Sequence, residues 1–196
     1  TLSSVENLKK EGITKNVFQV GNSVLDNLVN INVSSSNKVI ITLHRREKHD
    51  KINHWFESIN NLAAKHSDLI FELPAHPNPN VQKHLSILTN VNVVPPYSHE
   101  DFKEQLASCH SIITDSGGIQ EEAAFFKKRC VVCRDYTERT EGIGTLALMC
   151  KDYNNLDKIF EKCLKLDVDK VECPYGSGNT SQQVLKIYKS SLFKGE

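Results

Sequence analysis

Ser111-Ile-Ile-Thr-Asp-Ser116-Gly117-Gly118-Ile-Gln-Glu-Glu-Ala-Ala124 is the stretch whose reading decides the fold of this chain. Ile112 and Ile113 form a short β-branched run, which reads as a buried strand ending near Thr114. Asp115 and Ser116 are both good N-cap residues, and Gly117-Gly118 lets the backbone turn sharply. Gln120 to Phe126 contains no breaker and reads as a helix. A strand, a turn of small residues and a helix aim free N–H groups at an anion. The glycines let a phosphate approach the backbone, and Ser116 can add a hydroxyl donor. Glu122 sits about one turn into the helix, where a carboxylate can accept from two sugar hydroxyls. The loop suits a diphosphate joined to a ribose, although Ser-Gly-Gly before a helix also describes an ordinary turn.

Asp-Ser-Gly-Gly also surrounds the nucleophile of chymotrypsin-like proteases. That chemistry needs a β-barrel and an earlier His–Asp pair. Here strands alternate with helices, and a helix opens directly after the loop, so the protease reading fails. At 196 residues the chain holds one or at most two domains. Lys+Arg and Asp+Glu are both 24, giving zero formal net charge. No basic stripe interleaves with aromatics, which argues against nucleic acid as a partner. No apolar run approaches the roughly 18 residues of a membrane span. The chain starts at Thr1 without signal peptide or initiator Met, so it reads as a fragment. Six cysteines are present. Cys130-Val-Val-Cys133 has CxxC spacing but lies in a strand-like run, where positions i and i+3 face opposite ways. No second pair follows, so a metal site is not expected. Buried, reduced thiols of a cytoplasmic protein are the reading.

Ser3-Ser4-Val5-Glu6 fits a capping box with Ser3 as the cap, opening a short helix that stops at Gly12. Val17–Val20 is a strand candidate, 23–29 a short helix, and 34–37 a linker. Lys38-Val-Ile-Ile-Thr-Leu43 is a strong buried strand, with His44-Arg45-Arg46-Glu47 at its carboxyl end. Those four residues suit an anionic ligand, or else form a solvated charged loop. Trp55, Phe56, Ile59, Leu62 and Ala63 repeat at helical spacing across 51–66 and belong to the core. Leu69–Leu73 is a strand. The loop after it, Pro74-Ala-His76-Pro77-Asn-Pro79-Asn80, is stiffened by three prolines that fix His76. A helix over 80–89 leads to the strand 91–94. Ser98-His-Glu-Asp101 then caps a helix to about Ser108. Tyr97 and Phe102 flank that turn, where a flat base could rest, with core packing the alternative for Phe102. Lys127-Lys128-Arg129 reads as a solvated connector before the strand 130–133. A short strand over 145–149 follows. Next come a helix over 156–166 with Ile159, Phe160, Cys163 and Leu164 inward, and a last helix capped by Thr180 or Ser181. The last helix carries Val184, Leu185, Ile187, Tyr188 and Leu192.

The rhythm is that of an α/β protein with a doubly wound parallel sheet covered on both faces. The unusual residues fall at strand carboxyl ends, in loops 44–47, 74–80, 95–102, 115–122 and 134–139. In such sheets these loops converge on one site.

Together the loops resemble the non-hydrolysing UDP-N-acetylglucosamine 2-epimerases. The matching pieces are Gly21-Asn-Ser-Val-Leu-Asp26, His44-Arg-Arg-Glu47, His76-Pro-Asn-Pro-Asn80, Thr114-Asp-Ser-Gly-Gly-Ile-Gln-Glu-Glu-Ala123 and Arg134-Asp-Tyr-Thr-Glu-Arg-Thr-Glu-Gly142. They occur in the family's order and cover nearly the whole chain. The resemblance implies a Rossmann-like sheet, the C-terminal nucleotide-binding half of a GT-B-type two-domain fold. Residues 1–22 would be the tail of a missing N-terminal domain, including its last strand. Residues 23–37 would be the interdomain helix and linker, 38–178 the UDP-sugar domain, and 179–196 a helix reaching back to the first domain.

The resemblance further implies interconversion of UDP-GlcNAc and UDP-ManNAc by elimination and re-addition of UDP, without nicotinamide or metal. Ser116, Gly117 and Gly118 would hold the diphosphate and Glu122 the ribose. Tyr97 and Phe102 would border the uracil. His44 and Arg139 would lie near the diphosphate and the reacting sugar, with His44 helping UDP depart. Arg45 and His76 resemble contacts of a second, activating nucleotide-sugar. A homodimer is implied for the full-length protein. Thr140 stands where the family usually has Pro, which would loosen the Arg139 loop. Tyr97 stands where the family often has Gln or Leu. The family's proton-transfer carboxylates lie in its first domain, so the fragment is expected to bind UDP without epimerising it. Sugar contacts come partly from that half, so an epimerase for another UDP-sugar is a variant of this reading. A GT-B glycosyltransferase domain and a non-catalytic UDP-sugar sensor are the alternatives. Without the first domain, Val184, Leu185, Ile187 and Tyr188 are expected to be partly exposed, paired with another copy, or repacked on residues 1–29.

Overall fold

A computed structural model of the chain describes residues 1–45 and 50–192, without the side chains of 191 and 192. Arg46 and Glu47 of the first loop, and the Leu192 side chain, therefore lie outside the described residues. Six parallel strands form one sheet: β1 Lys38–Thr42, β2 Ile70–Pro74, β3 Asn92–Val94, β4 Ser111–Thr114, β5 Arg129–Val132 and β6 Ala147–Met149. The sheet order is β3-β2-β1-β4-β5-β6. The chain winds outward from β1 in one direction and from β4 in the other, so the switch point lies between these two neighbours. Their register pairs Ile41 with Ile113 and Thr42 with Thr114. The two threonine hydroxyls meet at 2.6 Å.

Period-two alternation builds a core on each face. Val39, Ile41, Ile113, Val131 and Cys133 face α2 (Ile52–Lys65) and α6 (Leu156–Cys163), packing on Trp55, Phe56, Ile59 and Phe160. Ile40, Ile112, Cys130 and Val132 face α4 (His99–Ser108) and α5 (Gly117–Phe125), with Leu106, Ala123, Ala124 and Phe126. Each large apolar side chain so buried contributes about 1.5–3 kcal/mol. Cys130 and Cys133 thus sit in opposite cores, as alternation requires. All six cysteines are free thiols.

Several expectations need correction. Residues 17–20 form no strand: none of the six strands bonds to them, and Phe18 is exposed. In the first helix, α1 (Leu2–Lys10), Thr1 is the cap and accepts from Ser4 N–H. Ser3 instead spends its hydroxyl on the Glu141 carboxylate. The helix expected over 80–89 breaks into α3 (Pro79–Gln82) and a 3₁₀ turn, Leu85–Ile87. The tighter turns seat both Val81 and Leu88 in the α2-side core. The connector 127–129 is not simply solvated, because Lys128 is 7% exposed.

The 23–29 segment is a 3₁₀ turn, Ser23–Asn27, capped by Asn22. It presents Asp26 to the last helix, α7 (Thr180–Leu192). Asp26 accepts from Thr180 N–H (2.9 Å) and Ser181 N–H (2.7 Å), so the cap comes from across the chain, not from Thr180 or Ser181. Gly178, with φ +78, lets the turn before α7 press on Val29, which a Cβ would meet at 2.2 Å. Val184, Leu185 and Tyr188 remain at least half exposed, the first of the three expected outcomes. Among the described residues no helix is long and apolar enough to cross a membrane.

Candidate functional site

The site is built around the switch point. Asp115, directly after β4, is fully buried. Its Oδ2 accepts from the backbone N–H groups of His44 (2.9 Å) and Arg45 (2.8 Å). The residue expected to cap a helix therefore ties the loop after β1 to the loop after β4. Its other oxygen, Oδ1, has no hydrogen-bond partner and lies 3.7 Å from His44 Nδ1. Burial raises the Asp115 pKa above the usual carboxylate range, against the lowering pull of the His44 and Arg45 N–H groups.

Ser116 occupies the N-cap position of α5 in extended conformation, with no side-chain cap bond. Neither Gly117 nor Gly118 adopts positive φ, so the sharp turn expected of them is made without it. They are the first two residues of the helix. Among the described residues, the N–H groups of Gly117, Gly118 and Ile119 take no partner, as expected of a helix start. Gly117 is closely approached: a Cβ there would meet the Arg139 guanidinium and the Glu138 carboxylate at 3.3 Å. Over Gly118 the space is open except for Ser116 Oγ at 4.0 Å.

The Arg139 loop is firmly held. Arg139 Nε donates to Glu121 Oε1 at 2.7 Å. Its carbonyl accepts from Gln120 Nε2 (2.7 Å) and the Tyr175 hydroxyl (3.1 Å). Gln120 Oε1 in turn accepts from Thr137 at 3.0 Å. The loosening expected from Thr140 is thus countered by side chains of α5. Glu121 also accepts from the Asn22 side chain. Sequence reasoning singled out Glu122 and passed over Glu121. Neighbouring helical residues point about 100° apart, and this is the signal that could have separated them.

Glu122 faces α4. Its carboxylate has no hydrogen bond among the described residues, and it is 9% exposed. Burial raises its pKa, partly opposed by His99 and Lys103. On the same side of α5, one turn before Glu122, Ile119 lines a pocket of about 210 Å³ with His44, His76, Tyr97 and Phe102. The imidazoles of His44 and His76 stack at 5.0 Å with 7° between planes. Tyr97 and Phe102 lie 6.5 Å apart, tilted by 32°. The Tyr97 hydroxyl donates to Glu72 at 2.5 Å, and Lys38 Nζ sits on the same carboxylate oxygen at 2.9 Å. Burial, then the Glu72 bond, pushes the Tyr97 phenol up to about 12. The ring is thereby fixed by the bond of its hydroxyl to Glu72.

The Arg45 side chain is not among those lining this pocket. Arg139 lines a separate cavity of about 1120 Å³, with Glu121, Glu138, Tyr188 and the first residues of α1. The start of α5 therefore stands between two cavities, one holding the aromatics and His44, the other Arg139. Away from both, His66, Asp157 and Glu161 bring ligand atoms within 4.8 Å of one another. Lys65 Nζ already sits on both carboxylates, at 2.8 and 3.1 Å, and offsets one of their two charges.

Six parallel strands in this order, with the loops gathered at the switch point, define a Rossmann-like domain of the kind that forms the C-terminal half of GT-B-type proteins. The chain belongs to the UDP-N-acetylglucosamine 2-epimerase family, whose sequence profile matches residues 1–189. It is 35% identical over 195 residues to the UDP-N-acetylglucosamine 2-epimerase of Neisseria meningitidis, covering 93% of this chain and 50% of that protein. The crystal structure of UDP-GlcNAc 2-epimerase from Neisseria meningitidis bound to UDP-GlcNAc superposes with a TM-score of 0.81. Its identity is 32%, over 97% of this chain and 60% of that one. A co-structure of Staphylococcus aureus MnaA with UDP gives a TM-score of 0.86 at 28% identity, over 98% and 59%. The chain spans about half the length of the curated relatives it matches.

Proposed function

We propose that this chain is the UDP-sugar-binding part of an enzyme that interconverts UDP-GlcNAc and UDP-ManNAc. The free N–H groups at the start of α5, with Ser116, take the diphosphate. Glu122 takes the ribose hydroxyls. The uracil rests between Tyr97 and Phe102. Arg139, held over Gly117, neutralises the diphosphate from the other side. His44 acts as the catalytic group on this half, donating to a phosphate oxygen as UDP leaves. Arg45 and His76 serve an effector nucleotide-sugar.

The observation that supports the reading best is Glu122, a buried carboxylate without a protein hydrogen bond, beside a pocket lined by His44, Tyr97 and Phe102. A buried carboxylate left so is costly unless a ligand donates to it. Proton transfer at carbon needs positioned acid and base groups. These come from an N-terminal domain joined through residues 1–37, and the 196-residue chain alone binds UDP without turnover. Residues 38–178 form the nucleotide domain, 179–196 reach towards the first domain, and the full-length protein is a homodimer.

The test is incubation of the full-length protein with UDP-GlcNAc in heavy water. Deuterium at C2 without any acceptor is the expected result. Transfer of the sugar to an acceptor, with no exchange at C2, would assign a glycosyltransferase instead.

A further inference from the structure

The opposite edge of the sheet holds a second concentration of charge. Lys127, Lys128 and Arg129 join α5 to β5 and line a cavity of about 440 Å³ with His110, Ser34 and Asp169. It lies at the amino ends of β4 and β5, roughly 13 Å from the carboxyl edge for a four-residue strand. None of the three cations pairs with a carboxylate among the described residues. Lys127 Nζ donates to the Val171 carbonyl, Lys128 Nζ to the Ser34 carbonyl, and Arg129 Nε to the Leu166 carbonyl at 3.0 Å. Among the described residues, Asp169 is the only carboxylate lining the cavity. The neighbouring Cys109 offers no counter-charge, because burial pushes its thiol up to about 12 and keeps it neutral.

Lys128 is more than nine-tenths buried, and an ammonium carries three donors of which one is engaged here. Burial lowers its pKa. Lys127 holds a left-handed backbone, φ 56, at a position where glycine is usual, and this turn brings the three basic side chains to one cavity. In a chain of zero net charge, such a local excess is not a by-product of composition.

We infer that this cavity is a second anion site, separate from the one at the carboxyl edge, and that it takes a phosphate-class oxyanion on Lys127, Lys128 and Arg129. Free phosphate and the terminal phosphate of a monoester share the required chemistry. The inference stands on its own residues, so its failure would leave the nucleotide site untouched.

The test is an amide-shift titration of the 196-residue chain with inorganic phosphate, and separately with UMP, at ionic strength held constant with chloride. Saturable shifts at Ser34, Ser35, His110 and Asp169 are expected with phosphate. Their appearance with UMP as well would extend the site to monoesters. The double variant Lys127→Gln/Arg129→Gln, at half-buried positions, should weaken this binding at least tenfold, since charge-assisted hydrogen bonds are lost. It should leave the strand amides of β1 and β4 in place, which reports on folding. Lys128→Gln should do the same where it folds. Shifts that match chloride alone, that persist in the double variant, or that fall only at 116–119 would overturn the inference.

Discussion

At the scale of single residues, two adjacent glutamates divide the work of α5. Glu121 is spent on the protein, holding Arg139 and Asn22. Glu122 is unspent. Replacing Glu122 by Gln should lower UDP affinity at least tenfold by calorimetry, since a charged acceptor is worth about 1.5–3 kcal/mol. The same variant should be more stable than the parent at pH 7, by on the order of 1 kcal/mol, because it removes a buried, unpaired charge. The sign with pH follows from the raised pKa of Glu122. A carboxyl raised in the fold stabilises it fully when protonated, below its unfolded pKa, and loses that contribution as pH rises through the folded value. The advantage of the variant in thermal melts should therefore shrink as pH falls from 7 towards 4. Glu121→Gln should act oppositely. It removes one of the two carboxylates on Arg139, leaving Glu138, and should cost about 1–3 kcal/mol in denaturant unfolding and weaken UDP binding as well.

At the scale of elements, much of the fold was legible because period and apolar runs are local signals. Lys38–Leu43 and Ser111–Thr114 read as strands, and Trp55, Phe56 and Ile59 as a buried helix face. All three hold. The meeting of Tyr97 and Phe102 also followed from the loops at one sheet edge, whereas the stack of His44 on His76, expected in different pockets, did not. What local sequence could not give was the partner of a polar group far along the chain. Asp115 reads as a cap and instead ties the backbone of His44 and Arg45. Asp26 gives no local sign that it will cap a helix beginning at Thr180. Asp26→Ala should fray that helix. Hydrogen exchange at residues 182–188 should lose protection while β1 and β4 keep theirs. Equal loss in all three would mean that the cap is part of the global fold.

At the scale of the molecule, the sheet has two well-covered faces and one open flank. Val184, Leu185 and Tyr188 of α7 stand exposed beside the large cavity that holds Arg139. Under the proposed function this flank is where the first domain closes over the sugar. Leu185→Ser should change the stability of the 196-residue chain by less than about 0.5 kcal/mol, as for other exposed positions. In the full-length protein it should lower turnover, because closure brings the proton-transfer groups to the sugar. An equal effect in chain and full-length protein would place Leu185 in the packing of this domain alone.

Under the proposed function the start of α5 holds the diphosphate of UDP. A crystal structure of the chain soaked with UDP tests it most directly. Phosphate oxygens are expected within hydrogen-bond distance of the N–H groups of Gly117, Gly118 and Ile119, with the ribose on Glu122 and the uracil beside Tyr97 and Phe102. A diphosphate seated elsewhere, with those three N–H groups left to water, would contradict it.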